Sequence, residues 1–291
     1  MLFSKKHQKN ILKLISLFSL IRGYNIFVLI LAQYLTAKYI LAPHNSWNNL
    51  FLDFHFFSVI VASALTTAAG YISNNFYDAA KDQINRPKKY ILEHLVSQKI
   101  HFFLFFLLNT IALIFAYAVS FYAFLFFLFY ILSIWLYSSI IKRLFWLSNL
   151  FSALLMILPF WAITLYFKNF EEVVFYLAGY LFFLILARDI VKDLESLKGD
   201  WTQRYQSLPV VFDSTKTKCI ISIIILLSFI PNYHLFKQPL GLMNYYFILS
   251  VPFQAFVLLF LWLATNQKMY LWIHNLIKLW ILVGVIGIAF I

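Results

Sequence analysis

Long apolar runs separated by short polar breaks make up most of the chain. Nine can be marked off, at about 19–42, 51–73, 101–119, 121–141, 147–167, 173–190, 218–236, 241–263 and 272–291. Each is close to the ~20 residues a helix needs to cross ~30 Å of hydrocarbon. The runs are apolar throughout and do not alternate, which excludes an outer-membrane barrel. Backbone groups in lipid must be satisfied within their own segment, so the pattern predicts transmembrane helices. Only the neighbourhood of Ala118 to Tyr122, with no charge in it, separates the third run from the fourth. Everything downstream changes side if those two are one span.

Composition supports this reading. Of 291 residues, 63% are hydrophobic and only 12% charged, the balance of an all-α polytopic membrane protein. Seven Gly and seven Pro leave no low-complexity linker, so residues 1–291 read as one domain. Its helices are expected to surround a central cavity. The lone Cys219 excludes an internal disulfide and a thiolate metal cluster. The opening MLFSKKHQKNILK runs into an apolar segment without a small-residue cleavage site, and is expected to be a retained cytoplasmic flank.

The net charge of +12 has an orientation. With nine crossings, 18 of the 23 Lys and Arg fall on the side of the N-terminus; Lys38, Lys168 and Lys237 lie opposite, and Arg22 and Lys278 lie within runs. The positive-inside rule makes the basic side cytoplasmic, and contact with anionic membrane lipids, not nucleic acid, accounts for the charge. The expected location is a bacterial plasma membrane. Eight of the eleven acids are on the same side, concentrated in two loops, while Asp53, Glu171 and Glu172 are on the other.

The first loop reads NNFYDAAKDQINRPKK from Asn74 to Lys89, and the second RDIVKDLESLKGDWTQR from Arg188 to Arg204. In helical form Asn74, Asp78 and Asp82 share one face, as do Asp189, Asp193 and Asp200 with Ser196 between them. Four crossings separate the loops, and an even number returns the chain to the same side, so both can cap one cavity. Two opposed carboxylate clusters flanked by Lys and Arg suit a diphosphate bridged by Mg²⁺. The acids hold the metal, the metal holds the phosphate oxygens, and the bases neutralise charge on the leaving diphosphate. The plain alternative for the first stretch is a solvated helix end whose acids pair with Lys81, Arg86 and Lys88.

These residues resemble the UbiA superfamily of intramembrane prenyltransferases. Asn74 to Asp82, followed by Asn85, Arg86 and Pro87, is similar to its first motif, NDxxDxxxD, and Arg188 to Asp200 is similar to its second through Lys192, Asp193, Gly199 and Asp200. Smaller matches are Arg22 with Asn25, Ala69-Gly70-Tyr71-Ile72, and Tyr137, Ser138, Lys142, Arg143 and Asn149. The resemblance implies Mg²⁺-dependent transfer of a polyprenyl group from its diphosphate to a membrane-associated acceptor. It implies a metal and diphosphate face of Asn74, Asp78, Asp82, Asp189, Asp193 and Asp200, with Asp78, Asp82, Asp193 and Lys192 central to catalysis. Arg86, Lys88, Lys142, Arg143, Arg188 and Lys192 would contact phosphate oxygens. Asn25 and Asn149, amides in apolar surroundings, are candidates for the cavity wall or for interhelical hydrogen bonds. The implied reaction ionises the allylic C1–O bond before the acceptor attacks.

The chain departs from the family pattern at two positions. Asn75 stands where the family usually has Asp, one residue off the stripe, and a modest effect is expected. Ser196 stands where many members have Asp, on the stripe itself, so Asp189 and Asp193 are expected to share the metal, with Ser196 acting through water. KDLESLKGD with Leu208 to Val211 resembles members that prenylate a glycerophosphate lipid of the geranylgeranylglycerol phosphate type. The alternatives are an aromatic acceptor of quinone pathways, of the 4-hydroxybenzoate or naphthoate kind, and, from another class, a transporter. A transporter is expected to place its ionisable groups at mid-membrane. The seven histidines show no metal-ligand spacing.

Overall fold

A computed structural model describes residues 5–291 of the chain, and the side chains from Ile11 onward. Among these residues the structure is helical, and nine helices are long and apolar enough to cross a membrane. The elements are α1 (Lys5–Leu20), α2 (Gly23–Thr36), α3 (Trp47–Leu52), α4 (Phe54–Asn85), α5 (Pro87–Glu93), α6 (Gln98–Val119), α7 (Phe121–Ser139), α8 (Leu147–Phe167), α9 (Glu172–Thr202), α10 (Leu208–Leu227), α11 (Phe229–Phe236), α12 (Met243–Leu263) and α13 (Gln267–Gly287). A π-helical turn, Ala37–Leu41, extends α2, and α10 and α11 form one span, kinked at Asp213 (φ 71, ψ 172) near the start of α10.

The turn between the third and fourth runs is a single residue. Ser120 is extended (φ −172, ψ 163) and its Oγ accepts the Ala123 amide at 3.0 Å, capping α7 where α6 ends. The two runs are therefore two crossings, and both acidic stretches fall at the same end of the bundle.

The acidic stretches are helical and do not form irregular loops. The runs at 51–73 and 173–190 belong to α4 and α9, of 32 and 31 residues. At 1.5 Å per residue each is about 47 Å long against ~30 Å of hydrocarbon, so about a dozen residues of each project beyond it. In α4 that projection begins near Asn74. Hydropathy stops marking these helices where their residues turn polar, although the backbone hydrogen bonding continues.

Both ends of α4 are fixed. At the far side Asp53 caps it, Oδ1 accepting the His55 and Phe56 amides at 3.0 Å and Oδ2 accepting the Tyr166 hydroxyl at 2.7 Å. At the near side Pro87 cannot continue the hydrogen-bond ladder and disfavours helical geometry at Arg86, which sits at φ −141, ψ 59. The apolar window of α4 is 67% buried, against 17% for α6, which makes α4 central and α6 peripheral. It packs along α6, α7, α8 and α9, while α9 packs against α8, α10 and α13. The N-terminal α1 leaves Leu14 and Phe18 exposed and turns into α2 through Arg22 at φ 49.

Candidate active site

The projecting ends of α4 and α9 are tied to each other. Asn85 brackets α9 with its amide, Nδ2 donating to Ser196 O at 3.1 Å and Oδ1 accepting from Gly199 N at 3.2 Å. Lys81 forms an ion pair with Asp200, and Arg86 Nη2 donates to Glu195 Oε1 at 2.8 Å. Gly199 leaves room for the bracket, since a Cβ there would lie 2.8 Å from Asn85 Cγ. Gly199→Ala is expected to expel the Asn85 side chain and lose both hydrogen bonds, costing about 1–3 kcal/mol. A lowered thermal midpoint in detergent checks this, and adding Asn85→Ala should change it little, because both changes remove the same bracket.

Each carboxylate of the two stripes has its own partner. On α4, Asp78 pairs with Lys142, whose Nζ also donates to Asn74 Oδ1 at 3.2 Å, and Ser138 Oγ donates to the same oxygen at 3.0 Å. Asp82 is more open, with Lys89 Nζ at 3.8 Å. On α9, Asp189 accepts Ser152 Oγ at 2.7 Å and Arg188 Nη2 at 2.9 Å, Asp193 accepts Asn149 Nδ2 at 2.7 Å, and Asp200 accepts Ser196 Oγ at 3.2 Å. The helices α8 and α9 run antiparallel. Asn149 and Ser152, one turn apart on α8, therefore match Asp193 and Asp189, one turn apart on α9.

Tyr205, which the sequence does not single out, completes the first stripe. Arg204 at φ 58 folds the chain back after α9, and the Tyr205 hydroxyl stands 3.4 Å from Asp78 Oδ1 beneath Lys81 and Arg143, whose charged groups are 5.1 Å and 5.8 Å from its ring. Burial, and next the charge of Asp78, raise its pKa above the ordinary tyrosine range, so it remains a donor.

The structure brings together most of the expected site residues. Lys192 lies within electrostatic reach of three other bases, Arg22, Arg86 and Lys142, and of Asp189. Asn25 donates to the Tyr71 hydroxyl at 3.3 Å, and Arg22 lies over the Tyr71 ring. Lys88 is not brought in: it is exposed on α5, and Lys89 is the base that faces Asp82. Ser196 is turned toward Asp200. Asn75 is buried behind the stripe, donating to Glu93.

The donor set suits Mg²⁺ in chemistry. It consists of carboxylate and amide oxygens on two facing helices, and Mg²⁺ takes one or two carboxylates per ion, completing its shell with phosphate oxygens and water. Among the described residues no three of His, Cys, Asp and Glu stand close enough to hold an ion by themselves. Such a set fits an ion shared with a phosphate ligand and not a closed protein cage.

Beneath this layer lies a cavity of about 130 Å³ whose walls include Gln33, Met156, Phe160, Tyr180, Tyr246 and Ile281. Its α8 lining runs from Met156 to Ile163, a depth of about 10 Å at helical rise. Arg188 marks the boundary between the two layers: Nη2 contacts Asp189 on one side and lies 3.4 Å from Met156 Sδ on the other. A charged head at α4 and α9 can thus continue directly into an apolar tail.

A family match covers most of this architecture. The UbiA prenyltransferase family matches residues 30–286, and the chain belongs to that family. Among curated relatives, a digeranylgeranylglyceryl phosphate synthase of Sulfurisphaera tokodaii is 30% identical over 60% of this chain and 65% of its own length. One of Thermococcus sibiricus is 33% identical over 56% and 59%. In both, the chain spans less than two thirds of the relative. A solved digeranylgeranylglyceryl phosphate synthase aligns with 95% of this chain and 99% of its own at a TM-score of 0.68 and 20% identity. A UbiA homologue from Archaeoglobus fulgidus bound to GPP and Mg²⁺ aligns at 0.67 and 14%, covering 95% of this chain and 100% of its own. At these identities the two solved structures establish a shared fold.

Proposed function

We propose that this chain transfers a polyprenyl group from its diphosphate to a glycerophosphate-lipid acceptor, with Mg²⁺ at the α4–α9 cleft. The observation that carries the reading is the layering, in which two carboxylate stripes and a cluster of bases lie directly above an apolar cavity, with Arg188 at the boundary. Asn74, Asp78 and Asp82 would hold metal on one side, and Asp189, Asp193 and Asp200 on the other. When bound, Mg²⁺ supplies Lewis-acid stabilisation of the departing diphosphate. Lys142, Lys192, Arg86 and Arg188 orient the phosphate oxygens and offset the negative charge that grows on them as the allylic C1–O bond breaks. Tyr205 and Asn149 hold Asp78 and Asp193 in place. The cavity keeps water from the allylic carbon until the acceptor attacks it.

The names of the curated relatives favour the glycerophosphate acceptor, and nothing favours an aromatic one. The transporter alternative fares poorly as well, since the ionisable groups gather at one end of the bundle and not at mid-membrane. The inferred location is a plasma membrane with the cleft and N-terminus cytoplasmic, supported by the 18 of 23 bases on that side. The curated relatives are mostly archaeal and give no support to a bacterial membrane in particular.

Labelled geranylgeranyl diphosphate supplied to membranes with geranylgeranylglyceryl phosphate, 4-hydroxybenzoate and a naphthoate, followed by product identification by mass, tests this. The glycerophosphate is expected to be prenylated. Prenylation of an aromatic acceptor alone would overturn the acceptor, and no consumption of diphosphate with any acceptor would overturn the reaction.

A further inference from the structure

Glu93 belongs to neither acidic stretch, yet its carboxylate is among the most enclosed in the chain, with the residue 1% exposed. A buried carboxylate is tolerated only when it is partnered. The partners of Glu93 come from three elements. Oε1 accepts Ser19 Oγ, at the end of α1, at 2.9 Å, and Oε2 accepts Asn75 Nδ2, on α4, at 2.5 Å. Lys89 Nζ, one turn back on α5, stands 3.4 Å from Oε2. The same ammonium is 3.8 Å from Asp82 Oδ2, so it lies between a carboxylate of the site and one behind it.

The chemistry of position 75 follows from this arrangement. Asn75 is one residue on from Asn74, and its side chain leaves α4 about 100° around from the Asn74-Asp78-Asp82 stripe. Facing Glu93 there, only a donor fits: the amide nitrogen meets the carboxylate oxygen, whereas a carboxylate at position 75 would set two like charges against each other out of water. Glu93 in turn does for Lys89 what Glu195 does for Arg86. Each buried acid outside the metal stripe holds a base that borders the cleft.

We infer that Glu93 is a positioning residue of the diphosphate site. It fixes the back of the first acidic stretch through Asn75, and it aims Lys89 at Asp82, so that Lys89, and not Lys88, is the α5 base that meets the phosphate oxygens. The role of Lys89 rests on the prenyl-transfer reading; the tie between Glu93 and Asn75 stands without it.

The test is a double-mutant cycle on the full chain, Glu93→Gln, Asn75→Asp and both together, read as thermal midpoint in detergent and as KM for the prenyl diphosphate and kcat in membranes. Glu93→Gln is expected to raise KM about tenfold with kcat within about twofold, because Lys89 loses its aim while the metal stripes stay intact. Asn75→Asp is expected to lower the midpoint and reduce kcat/KM about a hundredfold through the carboxylate clash. In the pair, the amide introduced at position 93 can donate to the carboxylate introduced at position 75, so the midpoint should return to that of the wild type and kcat/KM to that of Glu93→Gln alone. A pair as unstable as Asn75→Asp overturns the Glu93–Asn75 tie. An unchanged KM in Glu93→Gln overturns the aiming of Lys89. If the wild type consumes no prenyl diphosphate, the functional reading fails and the role of Lys89 with it, while the midpoints still decide the tie.

Discussion

Asp193→Asn is expected to lower prenyl transfer about a thousandfold, equivalent to ~4 kcal/mol of transition-state stabilisation, while the protein still purifies as a folded species. Asparagine keeps the shape of aspartate, and its carbonyl can accept the Asn149 Nδ2 hydrogen bond that Asp193 Oδ2 takes at 2.7 Å, so the α8–α9 match survives. What disappears is the charge that would hold a metal. A similar loss of transfer is expected for Asp78→Asn, at a larger cost in stability, since Lys142 can still donate to the amide oxygen and to Asn74 but its charge loses its ion-pair partner. Activity and elution profile measured on the same preparation separate loss of chemistry from loss of fold. Transfer within tenfold of wild type in both variants would remove the metal role from these positions.

Lys81→Met should have the largest effect on stability. Asp200 has no exposed surface, and Lys81 is its ion-pair partner across the two motif helices. Removing one member of a buried pair leaves a charge without compensation, which costs about 3–5 kcal/mol. For a chain of this size, at ~2.1 cal/mol/K of unfolding entropy per residue, that corresponds to a fall of about 5–8 °C in thermal midpoint. Lys81→Met with Asp200→Leu should recover most of that loss and remain inactive, since the buried charge goes but so does a metal-stripe acid. A single variant that melts within ~2 °C of wild type would show that Asp200 is compensated elsewhere.

Much of this arrangement can be read from the residues, for identifiable reasons. Apolar runs near 20 residues leave few options in lipid, so the crossings are visible one by one. The spacing of Asn74, Asp78 and Asp82 defines a face as soon as the segment is helical. The break between α6 and α7 is nearly invisible because one serine makes it, through backbone extension and a cap, without the Gly, Pro or charge that usually marks a turn. Lys88 and Lys89 show a different kind of limit. The irregular Arg86 resets the helical phase between α4 and α5, so the face of α4 cannot be extended to decide which lysine points inward. Tyr205 and Ser152 carry no sequence signal at all. Tyrosine and serine are ordinary residues, and only the fold-back at Arg204 and the antiparallel run of α8 give them their partners.

The capping of α4 at both ends has a consequence for the lipid around it. Asp53 with Tyr166 ties one end of the helix to α8 and the Asn85 bracket ties the other to α9, so α4 cannot tilt or slide by itself within the bundle. The distance of Asp78 and Asp82 from Asp53 is therefore counted in residues and does not follow the thickness of the surrounding leaflets. Where protein and bilayer disagree in thickness, the bundle tilts as a unit or the lipids stretch or thin to meet it, and the peripheral α6, with its exposed Phe102, Phe103 and Phe106, is a surface along which they can do so.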